Sequence, residues 1–265
     1  MTPMKNMCPK ACLRGGFTLI ELLVVISIIM MLMSIMMPSL SRAREMGQRV
    51  VCQSNMRNLT LAWGFYAGDN DEKICSADTN WNTGGIANWV ADGPDDSVNT
   101  IGGTKKAIED GALWPYASET IGIYKCGMDQ SPKLRSYAIS RMMNGKTCNC
   151  EHDNVKPVHS IIGIKSPSNK MVFVGAESRT RWIEGSFCPV KQIDAVPPKW
   201  FNRASRNITA RHADGVNLSY ADFHCGYIKY EDRRTVELAN WEIDAGAASG
   251  DNADLDRYIQ MMNRW

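Results

Sequence analysis

From Phe17 to Met37 every position is apolar or carries a small hydroxyl, with the single exception of Glu21. Those 21 residues, at about 1.5 Å of rise each, make a helix of roughly 31 Å, enough to cross the hydrocarbon core of a bilayer. The pattern predicts a membrane span. Beyond it the spacing becomes amphipathic, with Cys52, Met56, Leu59, Trp63 and Tyr66 recurring at intervals of three and four between Gln53, Ser54, Arg57, Asn58 and Thr60. One helix is therefore expected to continue out of the membrane and lay an apolar stripe on a sheet. Pro38 falls at the junction, removes a backbone donor and crowds the carbonyl of Ser34, which predicts a bend or a locally melted turn.

After Asp69-Asn70-Asp71 the chain turns rich in Gly, Asn, Asp and Trp through Gly103, the composition of a long irregular surface loop. Strands are predicted at Met171–Ala176, Ile208–Arg211, Val216–Ala221 and Gly226–Tyr230, where apolar and aromatic residues run between breaks. The last two make a hairpin with Asp222 and Phe223 at its tip. A two-residue turn of the favoured kind needs positive φ at both central positions, which phenylalanine resists, so a wider or bulged turn is expected. The fold class is α+β: a long N-terminal helix packed on a globular head with an antiparallel sheet.

Glu21 is the anomaly in this arrangement. A carboxylate within a span costs about 2.5 kcal/mol or more without a partner, and is functional by default. An ordinary secretory signal does not account for it: such signals have shorter apolar regions followed by a small-residue cleavage site, absent here before Arg42 and Arg44. Lys5, Lys10 and Arg14 precede the span and are balanced by Arg42, Arg44 and Arg49 beyond it, so charge alone does not orient it. Removing the first 16 residues would take away three positive charges and turn the formal +2 to about −1, which argues against a nucleic-acid partner.

The run Gly15-Gly16-Phe17-Thr18-Leu19-Ile20-Glu21 resembles the precursors of type IV pilins and type II secretion pseudopilins, whose leader ends in glycine and whose mature chain begins Phe-Thr-Leu-Ile-Glu. The resemblance implies cleavage between Gly16 and Phe17 by a prepilin peptidase, methylation of the new Phe17 amine, and retention of the apolar helix. It implies further partners: other pilin or pseudopilin subunits and an inner-membrane assembly platform. Physical chemistry supplies a reason for the acid, since the amine of Phe17 brought near Glu21 of a neighbouring copy would neutralise a charge otherwise alone in lipid. The domain plan is then a leader over 1–16, a spanning half-helix over 17–37, an amphipathic half-helix over 38–68 and a periplasmic head over 69–265.

A second resemblance concerns the head. Arg211-His212-Ala213-Asp214-Gly215 through Tyr220-Ala221-Asp222-Phe223-His224 is similar to the prepilin-associated domain defined by a histidine, nine residues and Asp-Gly, with His212 and Asp222 at the matching positions and Phe223 replacing the glycine. Cys52-Gln53-Ser54-Asn55-Met56, Tyr66-Ala67-Gly68-Asp69-Asn70, Tyr124-Lys125-Cys126, Ser136-Tyr137-Ala138 and Pro167-Ser168-Asn169-Lys170 resemble the same group. His212 and Asp222 are expected to form a structural hydrogen bond tying two strands. No nucleophile elbow, phosphate loop or His-Glu-x-x-His motif accompanies them, so no catalytic residues are assigned.

Nine cysteines include Cys8 and Cys12 in the leader, leaving Cys52, Cys75, Cys126, Cys148, Cys150, Cys188 and Cys225, an odd set that admits at most three bridges. In an oxidising space, disulfides within 144–159 are expected ahead of zinc at Cys148-Asn149-Cys150-Glu151-His152. No cofactor is assigned. The acidic stretch Ser249–Tyr258 invites calcium, yet it lacks the EF-hand ligand order and reads equally as the start of a helix with Leu255, Ile259 and Met262 on its apolar face. The expected function is a non-enzymatic pseudopilin of a type II secretion-like system. A surface type IV pilus subunit is the nearer alternative, and a membrane-anchored periplasmic ligand-binding protein the more distant one.

Overall fold

In a computed structural model, the described residues are 17–77, 79, 86–91, 101–145, 157–176, 185–187, 191–192, 199–200, 208–240, 242 and 251–262. Helix α1 runs Leu19–Asp69, 51 residues without interruption. The chain divides into two compact units, Met1–Arg44 and Glu45–Trp265. In the first, every described residue from Phe17 to Arg44 is exposed. The melted turn expected at Pro38 does not form, because helical geometry continues through it. Serine hydroxyls bond back to the helix on both sides: Ser34 donates to the Met31 carbonyl at 2.7 Å and Ser41 to the Met37 carbonyl at 3.3 Å.

The second unit is the head. The predicted stripe is the buried face of α1, with Cys52, Met56, Leu59 and Trp63 each 0% exposed and Tyr66 packed at the edge of the same core. Beneath it lies a five-stranded sheet made of β1 (Tyr137–Ser140), β2 (Met171–Gly175), β3 (Ser186–Phe187), β6 (Gly215–Tyr220) and β7 (Cys225–Lys229), in the order β3-β1-β2-β6-β7. Neighbours pair antiparallel except β1 with β3, which are parallel, so the sheet is mixed. Two short strands, β4 (Lys191–Gln192) and β5 (Lys199–Trp200), form a separate ladder. Helices α2 (Ile101–Glu109), α3 (Arg233–Ala239) and α4 (Ala253–Met262) complete the elements named here.

Helix and sheet are joined by polar as well as apolar contacts. Thr60 Oγ1 donates to Ser219 Oγ on β6 at 2.6 Å, and that oxygen accepts the Phe173 amide of β2 at 3.1 Å. One hydroxyl thus fixes the rotation of α1 over two strands, since a buried polar atom without a partner is costly. On the sheet's other face Met171, Val174, Val216 and Leu218 pack with Leu238, Leu255 and Tyr258 of α3 and α4.

Two expectations need correction. Ile208–Arg211 is not a strand: the Thr209 carbonyl accepts from the Tyr230 hydroxyl at 3.0 Å and Arg211 lies in a turn, so side chains rather than a ladder satisfy this backbone. The stretch after Asp69 is not merely surface either. Ile74, Cys75, Ala77, Trp89 and Val90 are core residues, and the Trp89 ring meets Phe173 edge-on at 5.4 Å and carries Arg135 4.9 Å from its centroid. Irregular backbone can hold a core when bulky aromatics supply the buried area.

The hairpin tip is wider than two residues, as Phe223 requires. Tyr220 donates its amide to the His224 carbonyl and Phe223 donates to the Tyr220 carbonyl, both at 2.9 Å, enclosing a three-residue loop. Phe223 itself takes the left-handed position, φ 69°.

Candidate functional site

The N-terminal turn of α1 is built from Thr18 and Glu21. The Glu21 carboxylate accepts the Thr18 amide at 2.8 Å and its hydroxyl at 2.7 Å, while the Glu21 amide donates to Thr18 Oγ1 at 3.3 Å. This reciprocal arrangement is a capping box, satisfying donors that a helix start leaves without intrahelical partners. Glu21 is therefore hydrogen-bonded within its own chain, by a residue that brings no counter-charge. Phe17 is exposed beside it. Gly16 and the rest of the leader lie outside the described residues.

His212 and Asp222 do not meet. Asp222 Oδ1 is held by His224, at 2.5 Å from Nδ1 and 3.3 Å from the amide, and the His224 ring stacks on Tyr220 with centroids 4.2 Å apart. The acid caps its own loop, since its partner stands only two positions further along and both sit at the exposed tip. His212 points inward from the other end of β6 and is 4% exposed.

Its setting is a tight turn. Ala213 and Asp214 are both left-handed, at φ 48° and 58°, and the Tyr227 hydroxyl clamps the turn, its single proton shared between the carbonyl oxygens of His212 at 2.7 Å and Ala213 at 2.8 Å. Gly215 follows because a Cβ there would stand 2.3 Å from the Ile228 carbonyl oxygen. The Asp-Gly of this segment thus serves to turn the chain and aim His212.

His212 is aimed at two cysteines. Its Nε2 lies 3.4 Å from Cys126 Sγ, which is 2.7 Å from Cys52 Sγ, and all three ligand-capable atoms fall within 4.8 Å of one another. Among the described residues this is the one cluster of three such groups close enough to share a metal ion. The site is sealed, with Cys52 0%, Cys126 2% and His212 4% exposed, and the Tyr137 hydroxyl reaches the Cys52 carbonyl at 3.5 Å. The hydrogen bond from the Cys126 thiol favours ionisation of Cys52, against the opposing effect of burial, while the same contact and burial push the Cys126 thiol up. Sequence reasoning did not join these three residues, although each lies in a segment that the second resemblance had singled out. No spacing rule connects positions so far apart along the chain.

A second buried polar centre lies nearby. Asp129 accepts from Ser136 Oγ at 2.6 Å and the Ser131 amide at 3.0 Å, and Arg211 stands 3.3 Å away while also donating to the Ala176 carbonyl at 2.7 Å. Burial resists ionisation of Asp129, but the Arg211 charge and the Ser136 and Ser131 hydrogen bonds outweigh it, holding the carboxyl below its usual range. Asp129, Ser131 and Arg211 border a cavity of about 640 Å³ lined also by Met128, Lys133 and Asn240.

At the C-terminus the acidic stretch is used for capping. Asp254 accepts the amides of Glu231 and Asp232 at 3.0–3.1 Å, and Asn252 Oδ1 accepts those of Asp254 and Leu255 at the start of α4. The Cys148–His152 segment lies outside the described residues.

Residues 13–37 match the family described as the prokaryotic N-terminal methylation motif. The chain therefore carries a prepilin-type methylation motif, of the kind found on prepilin and pseudopilin-type precursors, placed on a single long apolar helix that precedes a β-sheet head. The match does not extend into the head. Neither the curated proteins nor the solved structures contain a match to this chain.

Proposed function

We propose that the protein is a non-enzymatic pilin-like subunit, cleaved between Gly16 and Phe17 by a prepilin peptidase, methylated on Phe17 and assembled through its helix into a pseudopilus of a type II secretion-like system. The observation that carries this reading is the methylation motif at residues 13–37 on a helix that is apolar to Met37, exposed as far as Arg44, and buried on one face from Cys52. A membrane and neighbouring helices are the surroundings that suit the first part. In the fibre, Glu21 would leave its cap on Thr18 or share it with the Phe17 amine of an adjacent subunit, exchanging a local hydrogen bond for an ion pair in lipid. The head would lie in the periplasm.

Two neighbouring machines use such subunits, and residues 13–37 suit a secretion pseudopilus and a surface pilus alike. Processing is tested by expressing the precursor with and without its cognate peptidase and weighing the product. Loss of residues 1–16 with gain of one methyl group is expected, and an intact precursor beside active peptidase would refute the reading.

A further inference from the structure

We propose that Cys52 and Cys126 close a disulfide that fastens α1 to the segment following Ile121–Tyr124, a covalent link between the helix and the head. The two sulfurs are 2.7 Å apart, well inside the ~3.5–4.0 Å of ordinary non-bonded contact, across a sequence separation of 74 residues. The other described cysteines are placed differently. Cys75 is fully buried with its thiol pushed up by desolvation, and Cys225 donates to the Gln53 carbonyl at 3.4 Å.

Zinc fits the same atoms less well. At about 2.3 Å from a tetrahedral zinc, two thiolates would stand roughly 3.8 Å apart, more than an ångström wider than the observed separation. A metal-binding imidazole also normally hands its other nitrogen to a partner, yet His212 Nδ1 is buried without one among the described residues. Three donors leave the fourth position unfilled among the described residues.

The reaction is thiol–disulfide exchange with a disulfide donor, either a small dithiodialcohol-type or glutathione-type compound or a protein disulfide. The Cys52 thiolate attacks one donor sulfur and releases the first donor thiolate; the Cys126 thiolate then attacks Cys52 Sγ and releases the second. Two protein thiols become one disulfide, the donor disulfide becomes two thiols, and the protons pass through water. Because the finished site is sealed, exchange belongs to the partly folded chain, before α1 docks, and folding then shields the bond from reductant. In the cell the bond rests on the proposed export of the head into an oxidising space.

The test uses the full-length protein in detergent. It is reduced and unfolded, refolded in a glutathione redox buffer, quenched with acid, alkylated and digested without reduction. A peptide pair joining Cys52 to Cys126, two hydrogens lighter than the separate thiol peptides, is expected in most molecules. Recovery of both cysteines alkylated would overturn the proposal, as would one equivalent of zinc retained in place of the bond. Should the chain fail to refold, protein trapped by acid directly from cells is mapped in the same way and judged by the same peptide. A link formed on refolding but absent in cells would uphold the pairing and count instead against the exported location.

Discussion

The ring of Phe223 occupies the space that a side chain at position 64 would need: a Cβ added to Gly64 would stand 2.5 Å from Phe223 Cε1 and 2.8 Å from Cζ. The missing side chain on α1 and the large one at the hairpin tip are thus a matched pair. This explains how phenylalanine is tolerated at a left-handed position, φ 69°, since packing on the helix offsets a backbone strain of about 1–2 kcal/mol.

Gly64→Ala is expected to lower stability by about 1–3 kcal/mol through overpacking, observed as a fall in Tm. In a Phe223→Gly background the same change should cost little, because the obstructing ring is gone. A double-mutant cycle by thermal denaturation measures the difference, and equal costs in both backgrounds would show that ring and glycine are uncoupled.

The role of Glu21 can be separated from its cap. Glutamine keeps the capping geometry with Thr18 but carries no charge, whereas alanine loses both. If the charge drives assembly, Glu21→Gln and Glu21→Ala both insert in the membrane and both fall out of fibres, with incorporation reduced about a hundredfold or more for a pairing of about 3 kcal/mol. Pull-down of sheared fibres with tagged wild-type subunits reads this. Normal incorporation of the glutamine variant would assign Glu21 to capping alone.

Acid should loosen the head through Asp129. Its folded-state carboxyl lies below the ordinary value, so its contribution is fully present above the unfolded pKa and is lost as pH falls through the lowered folded value. Wild-type Tm should therefore decline below about pH 4, near the ordinary aspartate pKa. Asp129→Asn should be less stable near neutrality, by about 3 kcal/mol for a largely enclosed ion pair with Arg211 broken at one partner, and should show a flatter acid limb. Parallel slopes for the two proteins in acid would exclude Asp129 as the source.

Asn252 joins two helices as well as capping one: its Nδ2 donates to Thr235 Oγ1 of α3 at 3.0 Å while its Oδ1 serves α4. Asn252→Ala is expected to cost about 1–2 kcal/mol and to speed amide exchange at Asp254 and Leu255. Unchanged exchange there would mean that the cap is dispensable.

Removing the proposed Cys52–Cys126 bond should cost about 4 kcal/mol on the chain-entropy scale for a loop of this length. Cys52→Ser/Cys126→Ser is therefore expected to melt well below oxidised wild type and to lose the difference seen when wild type is melted with and without reductant. A variant that melts with the oxidised wild type would contradict a stabilising bridge.

The sequence alone determined what depends on local order along the chain. Twenty-one positions that are apolar or carry a small hydroxyl, save one acid, make a helix long and apolar enough to span a membrane, a three-and-four spacing from Cys52 to Tyr66 defines the buried stripe, and phenylalanine at a tip defines a turn of more than two residues. Each is set by periodicity or by the φ range open to a residue, which neighbours in sequence suffice to express. Tertiary structure decided the rest. His212 is paired with cysteines 86 and 160 positions away rather than with Asp222, which the nearer His224 captures, and Trp89 makes core out of a stretch with the composition of surface loop. Contacts of that kind follow from how α1 docks on the sheet, and docking is selected by the shape and hydrogen-bond demands of the whole buried interior, which no local pattern encodes.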